Sequence, residues 1–400
     1  MAETGNQSQT TQEIAVDDRV YVARCAEYQE AEKAIQELVA MMGGMEQFAT
    51  QGERIALKVN LLRAAKPDEA VSTHPAVTAA VARMTTACGA LPIIMDSPGA
   101  GYRYNEKILD KTYRTCGMHE IAETAGIELN RDTSYEIVSF PEGELIKRFE
   151  VITPVVKSDG VFNLCKLKTH SFMHMTGAVK NLFGVVPGLA KPGYHGKLRD
   201  TARFANMLLD LAGFIAPRLS IMDAIVAMEG EGPGSGRPRE VGLLLASRNA
   251  LALDVVASHI MGLERERNPL LVEAARRGLR PNRLEEVEVV GPTVSDLVIP
   301  GFELPATIYD GSGVGGEAWW VRLLEALFRH ALSVKPRVMR DRCIACGACR
   351  DACPMNVITL DDSYARIDHR RCIRCYCCHE MCPENAIELH QGLLYRIANR

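Results

Sequence analysis

The stretch Cys372–Pro383, CIRCYCCHEMCP, holds five cysteines within eleven residues, and an earlier stretch, Cys343–Pro354, CIACGACRDACP, aligns with it 29 positions upstream. Both read C-x2-C-x2-C-x3-C-P. The segments after each proline, MNVITL (355–360) and ENAIEL (384–389), match in apolar pattern as well, which marks a duplicated unit. Nine of the thirteen cysteines lie between Cys343 and Cys382, whereas Cys25, Cys88, Cys116 and Cys165 are scattered. Clustering of this kind in a chain expected to be cytosolic points to metal rather than to disulfides.

The spacing narrows the metal. Three thiolates two residues apart wrap three corners of one iron–sulfur cube, and the fourth, carried three residues further on, points at a neighbouring cube. Zinc needs only four ligands and usually joins two C-x2-C pairs, so eight cysteines in two matched quartets fit it poorly. The expected ligand sets are therefore Cys343, Cys346, Cys349 and Cys382 for one [4Fe-4S] cluster, and Cys372, Cys375, Cys378 and Cys353 for the other. Cys377 falls off the repeat, opposite Ala348, and is expected as a buried thiol. From Arg337 to about His390 the chain resembles the two-cluster bacterial ferredoxins, and the resemblance implies low-potential, one-electron transfer.

Working outward, the composition is that of a globular protein, 47% hydrophobic and 24% charged. A net charge of -4 argues against a nucleic-acid partner. The amino terminus, MAETGNQSQTTQEIAVDD, has no apolar core, and no apolar run reaches the roughly 18–20 residues of a membrane span, so a cytoplasmic protein without membrane insertion is expected.

Upstream of the cysteines, strand-like runs alternate with amphipathic ones. RVYVARC (19–25), RIALKVN (54–60), LPIIMD (91–96), YEIVSF (135–140), GVFNLC (160–165), RLSIMDAI (218–225) and EVGLLLAS (240–247) read as strands. EAEKAIQELVAMM (30–42), PAVTAAVARMTTAC (75–88) and ALALDVVASHIMGL (250–263) read as helices, the second with Pro75 near its first turn. The fold class that follows is α/β: a large, mostly parallel sheet domain with helices on both faces, plus a small α+β ferredoxin-like domain carrying two [4Fe-4S] clusters at the carboxyl end. The expected divisions are a disordered terminus over 1–16, the α/β domain over 17–312, a linker helix over 313–336 seated by Trp319 and Trp320, and the cluster domain over 337–400.

Ligands of open α/β sheets sit beyond the carboxyl ends of the strands. Asn60, Asp96 and Asp223 end three of them, although an aspartate there also serves as a turn former. The densest candidate is CKLKTHSFMHMTGAVKNLFG (165–184), in which a two-residue period puts Lys166, Lys168 and His170 on one face of a continuing strand. Lys180 and Asn181 follow, and KPGYHGKLRD (191–200) adds His195 among further cations. So many cations in an acidic chain predict an anionic small-molecule ligand, with Lys168, His170 and His195 as catalytic candidates and Asn60, Asp96, Lys166, Lys180, Asn181 and Asp223 as binding candidates. A histidine of ordinary pKa, about 6.5, suits a proton donor at neutral pH. The glycine-rich GEGPGSG (230–236) matches neither a dinucleotide fingerprint nor a P-loop, and is expected to be a mobile loop over a ligand or a plain surface turn.

KLKTH, TGAVKNLFG and the HGK stretch, together with the carboxyl-terminal cysteines, resemble the iron–sulfur family catalogued as domain of unknown function 362, over nearly the whole chain after its first fifteen residues. The resemblance implies a ferredoxin module joined to an α/β domain and carries no reaction with it. Two functional expectations follow: an oxidoreductase passing electrons from a donor or acceptor protein through the clusters to a substrate among the lysines, or an electron carrier that docks on a partner redox enzyme.

Overall fold

The computed structural model describes residues 17–99, 101–308 and 334–391. The expected disordered terminus, and the linker helix up to residue 333 with Trp319 and Trp320, lie outside these residues. The end of that linker differs from expectation: Lys335 and Pro336 open a strand, because their backbone pairs with Leu389 and His390 at the edge of the cluster module.

The strands in chain order are β1 (Val20–Arg24), β2 (Arg54–Lys58), β3 (Leu91–Met95), β4 (Glu128–Leu129), β5 (Tyr135–Ser139), β6 (Arg148–Ile152), β7 (Gly160–His170), β8 (His174–Thr176), β9 (Leu219–Glu229), β10 (Arg237–Ser247) and β11 (Val289–Val290). The large sheet runs β11-β1-β10-β9-β7-β2-β3-β4, with β8 added to β7. Its pairings β1–β11, β2–β3, β2–β7, β3–β4 and β7–β9 are parallel, so the sheet is mostly parallel, as expected. The antiparallel exceptions are β1–β10, β9–β10 and β7–β8. β5 and β6 form a separate hairpin.

The strands alternate between two cores. Val22, Ala56, Met95, Cys165, Met222 and Leu245 face one side, whereas Ala23, Leu57, Ile94, Leu164, Ile221 and Leu244 face the other. A strand whose every side chain is apolar is stable only if both faces are covered. The helices do this: Ala31–Met41 and Pro75–Ala87 pack on one face, and Thr201–Ile215 and Ala250–Ile260 on the other. Each fully buried Leu, Ile or Val contributes about 1.5–3 kcal/mol of transfer free energy, so these two layers hold the sheet.

The carboxyl-terminal module is duplicated in its backbone as well as its cysteines. β12 (Lys335–Val338) pairs with β15 (Ile387–His390), and β13 (Ile358–Leu360) with β14 (Ala365–Ile367). Left-handed residues recur at the sequence offset: Ala345 with Arg374, Gly347 with Tyr376, and Asn356 with Asn385. Non-glycine residues hold such angles only where surrounding structure over-determines them, here the loops that bend each cysteine run back on itself.

The module is docked on the carboxyl ends of the central strands. GEGPGSG is the connection of the β9–β10 hairpin and lies in this interface. Arg63 donates to the Gly234 carbonyl at 2.9 Å, His379 Nε2 lies 3.0 Å from the Glu231 carbonyl, and the Ser235 hydroxyl reaches Asn385 Oδ1 at 2.9 Å. A side chain on Gly234 would meet the Glu380 carbonyl at 2.8 Å, and one on Gly232 the Thr169 carbonyl at 2.2 Å. Gly234 thus admits close packing against the cluster module and Gly232 against β7, so this connection is packed rather than open.

Candidate functional site

Under the docked module lies a cavity of about 60 Å³ at the carboxyl ends of β2, β3 and β7. β2 brings Lys58 and Asn60, β3 brings Asp96 and Ser97, and β7 brings Lys168. Ala178–Asn181, a single helical turn, supplies Lys180 and Asn181, and the helix Ala190–Lys197 supplies Lys191 and His195. Pro233 of the hairpin connection and Glu380 of the cluster module complete the wall.

Hydrogen bonds fix most of these groups. Lys58 Nζ lies 2.9 Å from Asp96 Oδ1, and the carboxylate also accepts the backbone N–H groups of Leu61 and Ser97. A Cβ at position 184 would sit 2.2 Å from that same Asp96 oxygen, so Gly184 is the residue that leaves the ion pair room. Lys168 donates to Asn60 Oδ1 at 2.9 Å and to the Val71 carbonyl at 2.6 Å. Asn60 in turn donates to Asn181 Oδ1 at 2.9 Å. Lys191 donates to the carbonyls of Ser97 and Pro98. The turn bearing Lys180 and Asn181 is held from below: Asp254, fully buried, accepts the N–H groups of Ala178 and Val179. A side chain on Gly177 would collide with Asp254 Oδ1 at 2.0 Å.

Burial dominates the electrostatics. It pushes Lys58, Lys168 and Lys180 below the usual lysine range, and Lys191 down to about 7. For Lys168 the neighbouring cations Lys180 and Lys166 add to the effect, while Asp96 opposes it at Lys58 and Lys191. His195, packed against Phe204 with ring centroids 4.4 Å apart, is pushed down to about 3 by burial and then by Lys180. Its imidazole is therefore neutral at pH 7, unlike the ordinary histidine that the sequence led us to expect.

The expected residues divide. Asn60, Asp96, Lys168, Lys180, Asn181 and His195 line the cavity together. His170 stands just behind it. Its Nδ1 accepts the N–H groups of Phe172 and Met173, which places the ring proton on Nε2, 3.3 Å from Glu380 Oε1. Lys166 and Asp223 do not line the cavity. They bond each other at 2.8 Å, with the Tyr28 hydroxyl 2.8 Å from Lys166, and Tyr28 stacks on His74. A carboxylate beside a buried ammonium satisfies both, and the β7–β9 ladder slips between Lys166 and Lys168, separating the two lysines' surroundings.

Lys58, Lys191, Ser97 and Glu380 complete the wall without having been singled out as site residues. A lysine inside RIALKVN was the available signal for Lys58, since a charge in a doubly covered strand needs a partner. Glu380 gave no signal, because its meaning depends on docking.

Four of the repeat cysteines gather in one place. Cys343, Cys346, Cys349 and Cys382 line one small cavity with Ile344 and Pro383. Burial, then Cys382, Cys346 and Cys343, push the Cys349 thiol up to about 11. Burial, then Cys375, Cys372, Cys349 and Cys353, push Cys378 well above the thiol range. Four mutually repelling sulfurs in an apolar shell, with Val338, Val357 and Ile387 around them, fit a cationic iron core that holds them as thiolates. Cys377 is fully buried against Ala352, Met381 and Tyr102 and touches Cys375 of the second quartet.

Comparison with known proteins follows the same division. Residues 55–259 match the family model described as domain of unknown function (DUF362), and residues 342–386 match a 4Fe-4S dicluster domain. A thylakoid-associated protein of the cyanobacterium Synechocystis is 35% identical over 283 residues, covering 69% of this chain and 83% of the relative. Among solved structures, the lactate racemase apoprotein of Thermoanaerobacterium thermosaccharolyticum aligns at 10% identity and a TM-score of 0.40, over 61% of this chain and 57% of that one. A Thermotoga maritima structural-genomics protein aligns at 11% identity and a TM-score of 0.35, over 59% and 60%. The described residues contain no helix long and apolar enough to cross a membrane. The chain belongs to the domain of unknown function 362 family and carries at its carboxyl end a 4Fe-4S dicluster domain, a module of electron transfer.

Proposed function

We propose that the protein is an iron–sulfur oxidoreductase that passes single electrons through two [4Fe-4S] clusters to an anionic small molecule held in the lysine-lined cavity. Cys343, Cys346, Cys349 and Cys382 would hold one cluster and Cys372, Cys375, Cys378 and Cys353 the other. The observation that carries the reading is Glu380. It lines the cavity, yet it sits midway between Cys378 and Cys382, one ligand of each proposed cluster. The electron source and the ligand site therefore share one short segment, with no long gap for an electron to cross.

When bound, the clusters supply electrons one at a time at low potential. The residues of this chain do the rest. Lys168 and Lys180 hold the anion and stabilise negative charge that develops on reduction. Proton donation at pH 7 falls to Lys191, whose pKa of about 7 matches the task, rather than to the neutral His195. His170 stands behind Glu380, its Nε2 3.3 Å from Glu380 Oε1. Electrons would arrive from a donor protein at the exposed face around Ile344, 62% exposed, and Cys346. A cytoplasmic setting, reducing enough to keep thirteen cysteines unpaired, belongs to the same proposal.

The test is anaerobic purification followed by stopped-flow reoxidation. Protein carrying about eight irons, as two cubanes require, is reduced and mixed with a panel of small anions. Reoxidation by at least one anion, lost in Lys168→Ala, supports the proposal. Reoxidation only by a co-purifying redox protein, with no response to any small anion, would instead make the chain an electron carrier.

A further inference from the structure

The cavity carries more information than its charge, because its unused hydrogen-bonding capacity can be counted. All three Lys58 donors are engaged, by Asp96, Asn181 and the Val59 carbonyl. Both Asp96 oxygens are engaged as well. Lys168 and Lys191 each spend two donors on protein oxygens and keep one. Lys180, half-buried, makes no hydrogen bond or ion pair among the described residues. His195 Nδ1 is buried and unpartnered although the residue is only 3% exposed. A buried polar atom left this way costs about 1–3 kcal/mol, so a native protein keeps such atoms together for a ligand or ordered water.

What remains is a surplus of donors with one acceptor, Glu380 Oε1, which makes no hydrogen bond and lies 3.3 Å from His170 Nε2. With Lys58 balanced by Asp96, three amines, Lys168, Lys180 and Lys191, face one carboxyl group, and a bound anion would favour their charged forms, leaving room for up to two negative charges. The space among these groups is small, about 60 Å³.

We propose that the chamber binds one compact oxyanion bearing up to two negative charges, gripped by Lys168, Lys180, Lys191 and His195. Two chemistries share this description, a tetrahedral phosphate-like anion and a small planar carboxylate. A single O–H on the ligand would meet Glu380. The inference deepens the redox reading by naming the ligand class of that same site, and it stands on the donor geometry whether or not the ligand is reduced.

Isothermal titration calorimetry on the anaerobically purified, cluster-loaded full chain tests it, with phosphate, oxalate and AMP as separate titrants in chloride buffer at pH 7.5. We expect one site per chain for phosphate or oxalate, the tighter of the two telling tetrahedral from planar, and no site for AMP. Lys180→Met should weaken binding at least tenfold, Lys180→Arg should retain most of it, and Lys33→Met, at an exposed position on the helix Ala31–Met41, should change nothing. Far-UV circular dichroism and iron content confirm that each variant is folded and loaded. Absence of binding by both small anions, binding of AMP with equal affinity, or unaltered binding in Lys180→Met overturns the proposal. Phosphate and oxalate do not accept electrons from the clusters, so their binding tests the chamber alone, and the reoxidation panel tests its redox role separately.

Discussion

Removing either partner of the Lys166–Asp223 pair separates structural from functional cations. Asp223 accepts Lys166 Nζ at 2.8 Å, the Tyr28 hydroxyl at 3.1 Å, the His74 N–H at 3.0 Å and the Ile225 N–H at 3.3 Å. Both side chains are fully buried. Breaking a buried pair costs about 3–5 kcal/mol, but the two deletions are not equivalent. Lys166→Met leaves Asp223 with three neutral donors, so its cost lies near the lower bound. Asp223→Ala leaves an ammonium with one hydroxyl and strips two backbone amides of their acceptor, each worth about 1 kcal/mol or more. Asp223→Ala should therefore cost at least about 2 kcal/mol more than Lys166→Met. The double variant Lys166→Met/Asp223→Leu, which leaves no buried charge, should recover most of the loss. Urea unfolding followed by far-UV circular dichroism measures all three. Equal costs for the single variants, or a double variant as unstable as their sum, would refute the assignment of this pair to the scaffold. So would loss of anion binding in a folded double variant.

Lys191 gives a pH signature. Its folded pKa, about 7, lies below the unfolded lysine value of 10.5, so the unfolded chain binds the extra proton between those limits and stability rises with pH there. Wild type should gain stability relative to Lys191→Met from pH 7 to 9 in anion-poor buffer, and a constant difference would contradict the burial argument. Gly184→Ala, whose new methyl meets Asp96 and Lys58 within 2.5 Å, should destabilise by about 1–3 kcal/mol. Gly193→Ala, in a helix with nothing within 4 Å, should stabilise by up to about 1 kcal/mol; thermal melts compare the two. Cys377→Ala should keep about eight irons per chain, whereas Cys378→Ala should lose about four, read by iron analysis and electron paramagnetic resonance.

Local spacing was enough to mark the eight cysteines, because a cubane's reach is set by two- and three-residue steps along one segment. The left-handed angles at Ala345 and Arg374 then repeat with the same offset as the sulfurs. Period-two burial likewise made the strands legible, since RIALKVN and GVFNLC must be covered on both faces wherever they sit. The order β11-β1-β10-β9-β7-β2-β3-β4 was not legible, nor was the antiparallel β9–β10 hairpin, because pairing depends on contacts far apart in the chain.

The sequence by itself determined which residues could be charged and which sulfurs could share iron. It placed Lys166 and Lys168 on one strand face as equals, and only the tertiary structure separated them. Asp223 and Tyr28 approach Lys166 from 57 and 138 residues away, while Lys168 turns into a cavity closed by Glu380 of the other domain. A buried charge takes its role from the partner that satisfies it, and that partner is chosen by the fold rather than by neighbours along the chain.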